Sequence, residues 1–171
     1  MNYFFSQILL DLQDRISQEV PEIRYTDQNL GQLAKLGDTD QPPLAYPAVL
    51  IDFPNTVYSE MATNLQIGAV QISVLLVLDT YSQTWHNAPL EVREKGLEYL
   101  EIEQKLYKSL QGWNLDYFAP LSRTAIRSQN NNDVGLRVRE LTFTTEYEDW
   151  TMNDDNFKEV KIAFNGSLKT N

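Results

Sequence analysis

Between residues 67 and 79 the chain reads IGAVQISVLLVLD, and no other stretch so narrows the folds open to it. Side chains of a strand alternate between two faces, so Val70, Ile72, Val74, Leu76 and Leu78 share one face while Ile67, Ala69, Gln71, Ser73, Leu75 and Val77 share the other. The first set is apolar throughout and the second is mixed. This predicts a long strand whose uniform face lies on the main core. A second long strand over residues 135–148 is separated from the first by a helical run over 91–113, and residues 48–53 (AVLIDF) and 120–128 supply two shorter strands. The block 47–149 therefore reads strand, strand, helix, strand, strand.

Around that block the periodicity is equally local. Phe4 or Phe5, Ile8, Leu9, Leu12 and Ile16 recur at helical spacing, with Asp11, Gln13, Asp14 and Gln18 on the other face. The helix is predicted to end near Val20, because the residue before Pro21 avoids the α region. Residues 22–27 suit a short strand or an extended connection. The stretch GQLAKLGDTDQPPLAYP over 31–47 is a loop, and loops of that length tend to serve function. Residues 55–66 fit either a wide hairpin tip or a helical turn. In 91–113 a single helix is expected, with a stripe of Val92, Tyr99, Leu106, Leu110 and Trp113, glutamates early and lysines late to complement the helix dipole, and Gly112 as its stop. QNNNDVG marks a hairpin connection before the last strand. In that strand the apolar parity changes from Leu136 and Val138 to Leu141, Phe143 and Tyr147, which predicts a bulge near Arg139. The fold class is α+β, a mostly antiparallel sheet packed by two amphipathic helices in the order α-β-β-α-β-β. Residues 1–149 read as a single αβ domain. Residues 150–171 read as a C-terminal extension or arm, disordered or adding the strand-like run 160–164 to a neighbour.

Composition then removes whole classes of function. The chain has no cysteine among its 171 residues, so thiolate chemistry, disulfides and Cys-based metal sites are excluded, which fits an intracellular origin. A net charge of -10 argues against a surface that grips a phosphate backbone. No apolar run approaches the length of a membrane span, and the N-terminal stretch reads as a structural helix rather than a signal peptide. His86 is the one histidine and stands in a polar loop beside Trp85 without an evident nucleophile to activate. Asp38 with Asp40, and Asp154 with Asp155, are fragments of calcium-loop patterns without the glycine and terminal glutamate those loops need. Glu98, Glu101 and Glu103 fall on a helix face rich in lysine, which reads as a solvated face rather than an acid-base pair. Gly31 and Gly37 form no phosphate-binding fingerprint. No catalytic residue, cofactor site or metal site is legible, and the chain is expected not to be an enzyme. Arg123, Arg127, Arg137 and Arg139 gather on one hairpin, either in cross-strand pairs with carboxylates or as a basic stripe that docks on an acidic neighbour.

The opening helix 4–19, the proline-rich loop before PAVLIDF, the strand IGAVQISVLLVLDTY, the helix EVREKGLEYLEIEQKLYKSLQGW and the closing hairpin ending RELTFTTEYED together resemble, over residues 3–149, the tail terminator or tail completion proteins of long-tailed bacteriophages. The resemblance implies a structural virion protein of the tail or neck, assembled in the bacterial cytoplasm. Its copies would form a homo-oligomeric, hexameric ring at the head-proximal end of the tail tube. Such a ring ends tube polymerisation and meets the tube protein on one side and a head-side connector or stopper on the other. DNA would pass its lumen without specific binding, and no membrane is involved. Ring closure calls for heterologous contacts, for which Tyr46, Tyr58, Met61, Trp85, the four hairpin arginines, Trp150 and Phe157 are the candidate interface residues. A head-tail stopper or other neck protein is the neighbouring alternative. A non-enzymatic ligand- or protein-binding module with 31–47 as a lid is the more distant one.

Overall fold

The long apolar strand has partners on both sides, which makes it the centre of the sheet. The computed structural model describes residues 3–35, 44–80, 83–129 and 135–152. They run α1 (Phe4–Glu19), β1 (Tyr25–Gln28), a 3-10 turn (Gln32–Lys35), β2 (Ala48–Ala62), β3 (Leu65–Leu78), α2 (Leu90–Lys95), α3 (Glu98–Leu110), β4 (Ser122–Ser128) and β5 (Arg137–Asp149). The five strands form one sheet in the order β1-β2-β3-β5-β4. β1 joins β2 in parallel and the other three pairs are antiparallel. The architecture is α+β, as the pattern predicts.

The alternation in β3 distributes its side chains as expected. Val70, Ile72, Val74, Leu76 and Leu78 join Phe4, Ile8, Leu12 and Ile16 of α1, Leu106 and Leu110 of α3, and Leu141 and Phe143 of β5 in the main core. Each such burial stabilises the fold by about 1.5–3 kcal/mol. Leu75 and Val77 face the other way and meet Ala48, Leu50, Leu136 and Val138, with Tyr25, Leu33 and Tyr46 packed on them. Further along this second face the sheet is open: Val57, Ser59, Ala69, Glu146 and Glu148 are exposed.

Several expectations change once long-range packing is in place. The single helix over 91–113 is two. α2 ends at Gly96, and bonds from Leu97 N to Glu94 O and from Leu100 N to Leu97 O replace the regular ladder. Gly96 is buried, and a Cβ there would stand 3.0 Å from Thr84 Cγ2, so the close approach of the preceding loop favours glycine at the break. Val92 consequently leaves the core stripe and is exposed, while Leu106 and Leu110 are fully buried. Gly112, at φ 75, ends α3 as expected.

Residues 55–62 are neither tip nor helical turn. They extend β2, which pairs with β3 to the end and reverses on Thr63 and Asn64, the latter at φ 62. The bulge expected near Arg139 is not there: β5 pairs with β3 without a shift from Arg137 to Asp149. Apolar parity changes along β5 because both faces of the sheet are buried near its start, Leu136 and Val138 in the second cluster and Leu141, Phe143 and Tyr147 in the first. Register shifts fall instead in β4, between Arg123 and Ala125, and in β2, between Asp52 and Asn55 around Pro54 and again between Glu60 and Ala62. Asp38, Asp40, Asp154, Asp155, Phe157, the run 160–164 and residues 130–134 of the hairpin connection lie outside the described residues.

Candidate functional site

Three of the four hairpin arginines turn toward α3, because Arg123, Arg137 and Arg139 share the helix-covered face of the sheet. Arg139 donates from Nε to Glu103 Oε2 at 2.5 Å and from Nη2 to Glu103 Oε1 at 3.0 Å, a bidentate pair, and from Nη1 to Ser128 Oγ at 2.6 Å. Its carboxylate partner holds the guanidinium above its ordinary pKa. Glu103 is therefore not on the solvated face expected for it: it is buried, one turn before Leu106, on the side of α3 that meets the sheet. The guanidinium of Arg123 lies 3.6 Å from the centre of the Tyr107 ring, and that of Arg137 lies 4.5 Å from the centre of the Tyr99 ring. Arg127 stands apart, in register with Glu140, whose Oε1 accepts from Ser73 Oγ at 2.8 Å. The arginines thus fasten the hairpin to α3, with Arg127 on the opposite face.

The candidate aromatics divide by place. Tyr46 is half-buried against the second cluster, and burial followed by the charge of Asp79 pushes its phenol up. Tyr58 and Met61 ride on the extension of β2, 43% and 56% exposed. The Tyr58 hydroxyl lies 2.9 Å from that of Tyr147. Trp85 is 62% exposed, its ring edge-on to His86. Trp150 is 51% exposed and donates from Nε1 to Glu148 Oε2 at 3.0 Å.

Tyr147 carries more than the periodicity suggested. Its ring stacks on Phe4 with centroids 3.7 Å apart, and its cross-strand partner is Gly68. A Cβ on Gly68 would stand 2.5 Å from Tyr147 Cε1, so the ring occupies the space the glycine leaves. Burial first, then the Tyr58 hydroxyl, raise the Tyr147 pKa far above the ordinary tyrosine range. Tyr117 donates to Asp11 Oδ2, and its pKa is likewise raised, by burial first and then by that hydrogen bond. The loop over 116–119 and the end of β5 enclose a hollow of about 540 Å3 lined by Asp116, Tyr117, Glu146, Glu148 and Trp150 among others. Apart from Trp150, this aromatic and acidic surface was missed from sequence. Its signal was the glycine opposite an aromatic, which is visible only once strand register is known.

His86 is exposed, and Glu98 and Glu101 are exposed on α3. Among the described residues no three His, Cys, Asp or Glu side chains converge as a metal site, and no helix is long and apolar enough to cross a membrane.

No family model matches the chain, and no curated protein matches it. Among solved structures it is similar to a chain of "Virion of native gene transfer agent (GTA) particle", at 11% identity and a TM-score of 0.47, over 84% of this chain and 91% of that one. That likeness assigns no role to any residue of this chain.

Proposed function

We propose that this chain is a structural protein of a phage-type virion, and that it acts as a ring at the head-proximal end of the tail tube. There it ends tube polymerisation and joins the tail to the head-side connector. The order of elements over residues 3–149 supports the reading. The observation that carries it is the uneven finish of the sheet. One face is sealed by α1 and α3; the other carries the small cluster around Leu50 and Val77, with Asp52, Glu140 and Arg127 around it, and past that cluster is open with Glu146 and Glu148 on it. Turned to a lumen, such a face repels phosphate and lets DNA slide past without being held. The tube protein and the connector are then the partners at the two rims.

The experiment pairs a native mass with a particle phenotype. The expected results are a hexamer in solution and tails of uncontrolled length in particles assembled without the protein. A monomer at high concentration, together with tails of normal length, overturns the reading. Tails of normal length that fail to join heads would instead support the stopper role.

A further inference from the structure

Among the described residues, both ends of the sheet leave an edge without a strand partner. β4 is the outermost strand on one side. On the other side β1 covers β2 only from Ala48 to Ile51, and among the described residues no strand pairs with the outer side of residues 55–62. Unpaired edges are templates for strand addition, and natural proteins usually blunt them with lysine, proline or short length. Here the β2 edge has Pro54 only at its start, by the register shift, and then runs on through Val57 and Met61, both more than half exposed. The β4 edge has neither lysine nor proline, and Ile126 on it is 37% exposed.

We propose that β4 of one copy pairs antiparallel with residues 55–62 of β2 in the next, so that the sheet continues from subunit to subunit. Three observations select a second copy of this chain as the occupant. The lengths agree, since the eight residues 55–62 of β2 can accommodate β4 past Arg123, whose N–H is taken by Gln111 Oε1 at 2.9 Å. Charges are complementary: β4 carries Arg123 and Arg127 with no acid, whereas residues 55–62 of β2 carry Glu60 with no base. The strand senses also fit. Successive antiparallel pairings of β2, β3, β5 and β4 leave β4 opposite in sense to β2, so a rotation axis along the strands brings the two edges together as an antiparallel ladder. Such a contact is heterologous, and it keeps every helix-covered face outside and every acidic face inside. The inference deepens the ring reading and rests on it only for closure.

The absence of cysteine makes the test clean. Ile126 shares the helix-covered face with Thr56, Tyr58 and Glu60, as the register with Leu141, Val70, Gly68 and Gln66 shows. Three full-length double variants, Ile126→Cys combined with Thr56→Cys, Tyr58→Cys or Glu60→Cys, are oxidised or treated with a short bis-maleimide and run on a denaturing gel without reductant. At least one is expected to give a ladder of covalent multimers, while single-cysteine variants stop at dimers. No ladder from any pairing, alongside a native mass that still shows a ring, overturns the edge pairing and leaves the ring reading standing. A ladder from an open-ended polymer supports the pairing and overturns the closed ring. Monomers throughout overturn both. Folding is checked by far-UV circular dichroism, and the unmodified chain provides a second readout. Association across oppositely charged edges is expected to weaken at least about tenfold as ionic strength rises from about 0.05 M to 0.5 M, and salt-independent assembly counts against the proposal.

Discussion

On the face covered by α1 and α3, Ile8, Leu12, Ile72, Leu76, Leu141 and Phe143 are fully buried, whereas on the opposite face Val57 stands 61% exposed beside Glu146 and Glu148. The same strands build both faces, since alternate residues of β3 and β5 contribute to each. The difference shows where the stability of the fold resides. The helix-covered face supplies most of the burial that holds the fold, and the open face is free to change without unfolding it.

The contrast breaks if substitutions on the two faces cost alike. Phe143→Ala, in the centre of the main core, is expected to cost about 3–5 kcal/mol, read as the shift of the urea midpoint. Glu103→Leu leaves Arg139 without its carboxylate in a partly buried seam and is expected to cost about 3 kcal/mol, with partial recovery when Arg139→Leu is added. If the double variant recovers nothing, the pair is not what ties the hairpin to α3. Gly68→Ala pushes the Tyr147 ring off its stack with Phe4, at a cost of about 1–3 kcal/mol, and loss of the near-ultraviolet aromatic signal would accompany it.

The pH dependence sharpens the same comparison. Tyr117 and Tyr147 are both raised above 10.0, so their neutral forms are favoured in the fold. Their contribution is whole below the pKa of an unfolded tyrosine, about 10, and is lost as pH rises above it. Stability should therefore fall on the alkaline side, and Tyr147→Phe should shallow that fall while leaving the neutral-pH slope unchanged. The smallest effect belongs to the open face. Val57→Ala, or Glu146→Gln with Glu148→Gln, is expected to move monomer stability by no more than about 0.5 kcal/mol. A larger loss would show that this face is packed in the folded monomer after all.

Much of the helix-covered face was legible because its signals are local. The 3-4 spacing of Ile8, Leu12 and Ile16 and the period-2 run from Val70 to Leu78 each point one set of side chains to a core, and both sets are buried there. The candidate site was less legible. Arg137 and Arg139 are close in sequence to Arg127, yet whether an arginine meets Glu103, an aromatic ring or solvent depends on where α3 docks, and Glu103 is 36 residues from Arg139. Val92 and Trp113 looked like one stripe because periodicity passes through Gly96 unchanged, and only the approach of Thr84 to that glycine shows the break. Residues 55–62 lacked an apolar alternation to announce a strand, since they face little but their partner. The register with β3 makes them one.

Chain-local patterning, then, accounts for the class of fold and the main core, because spacing along a helix or strand dictates which side chains share a face. Which face remains open, which edges stay unpaired and which carboxylate each arginine finds depend on contacts between residues far apart in the chain. Those contacts are made by packing and strand register, and neither is written in any single stretch of sequence.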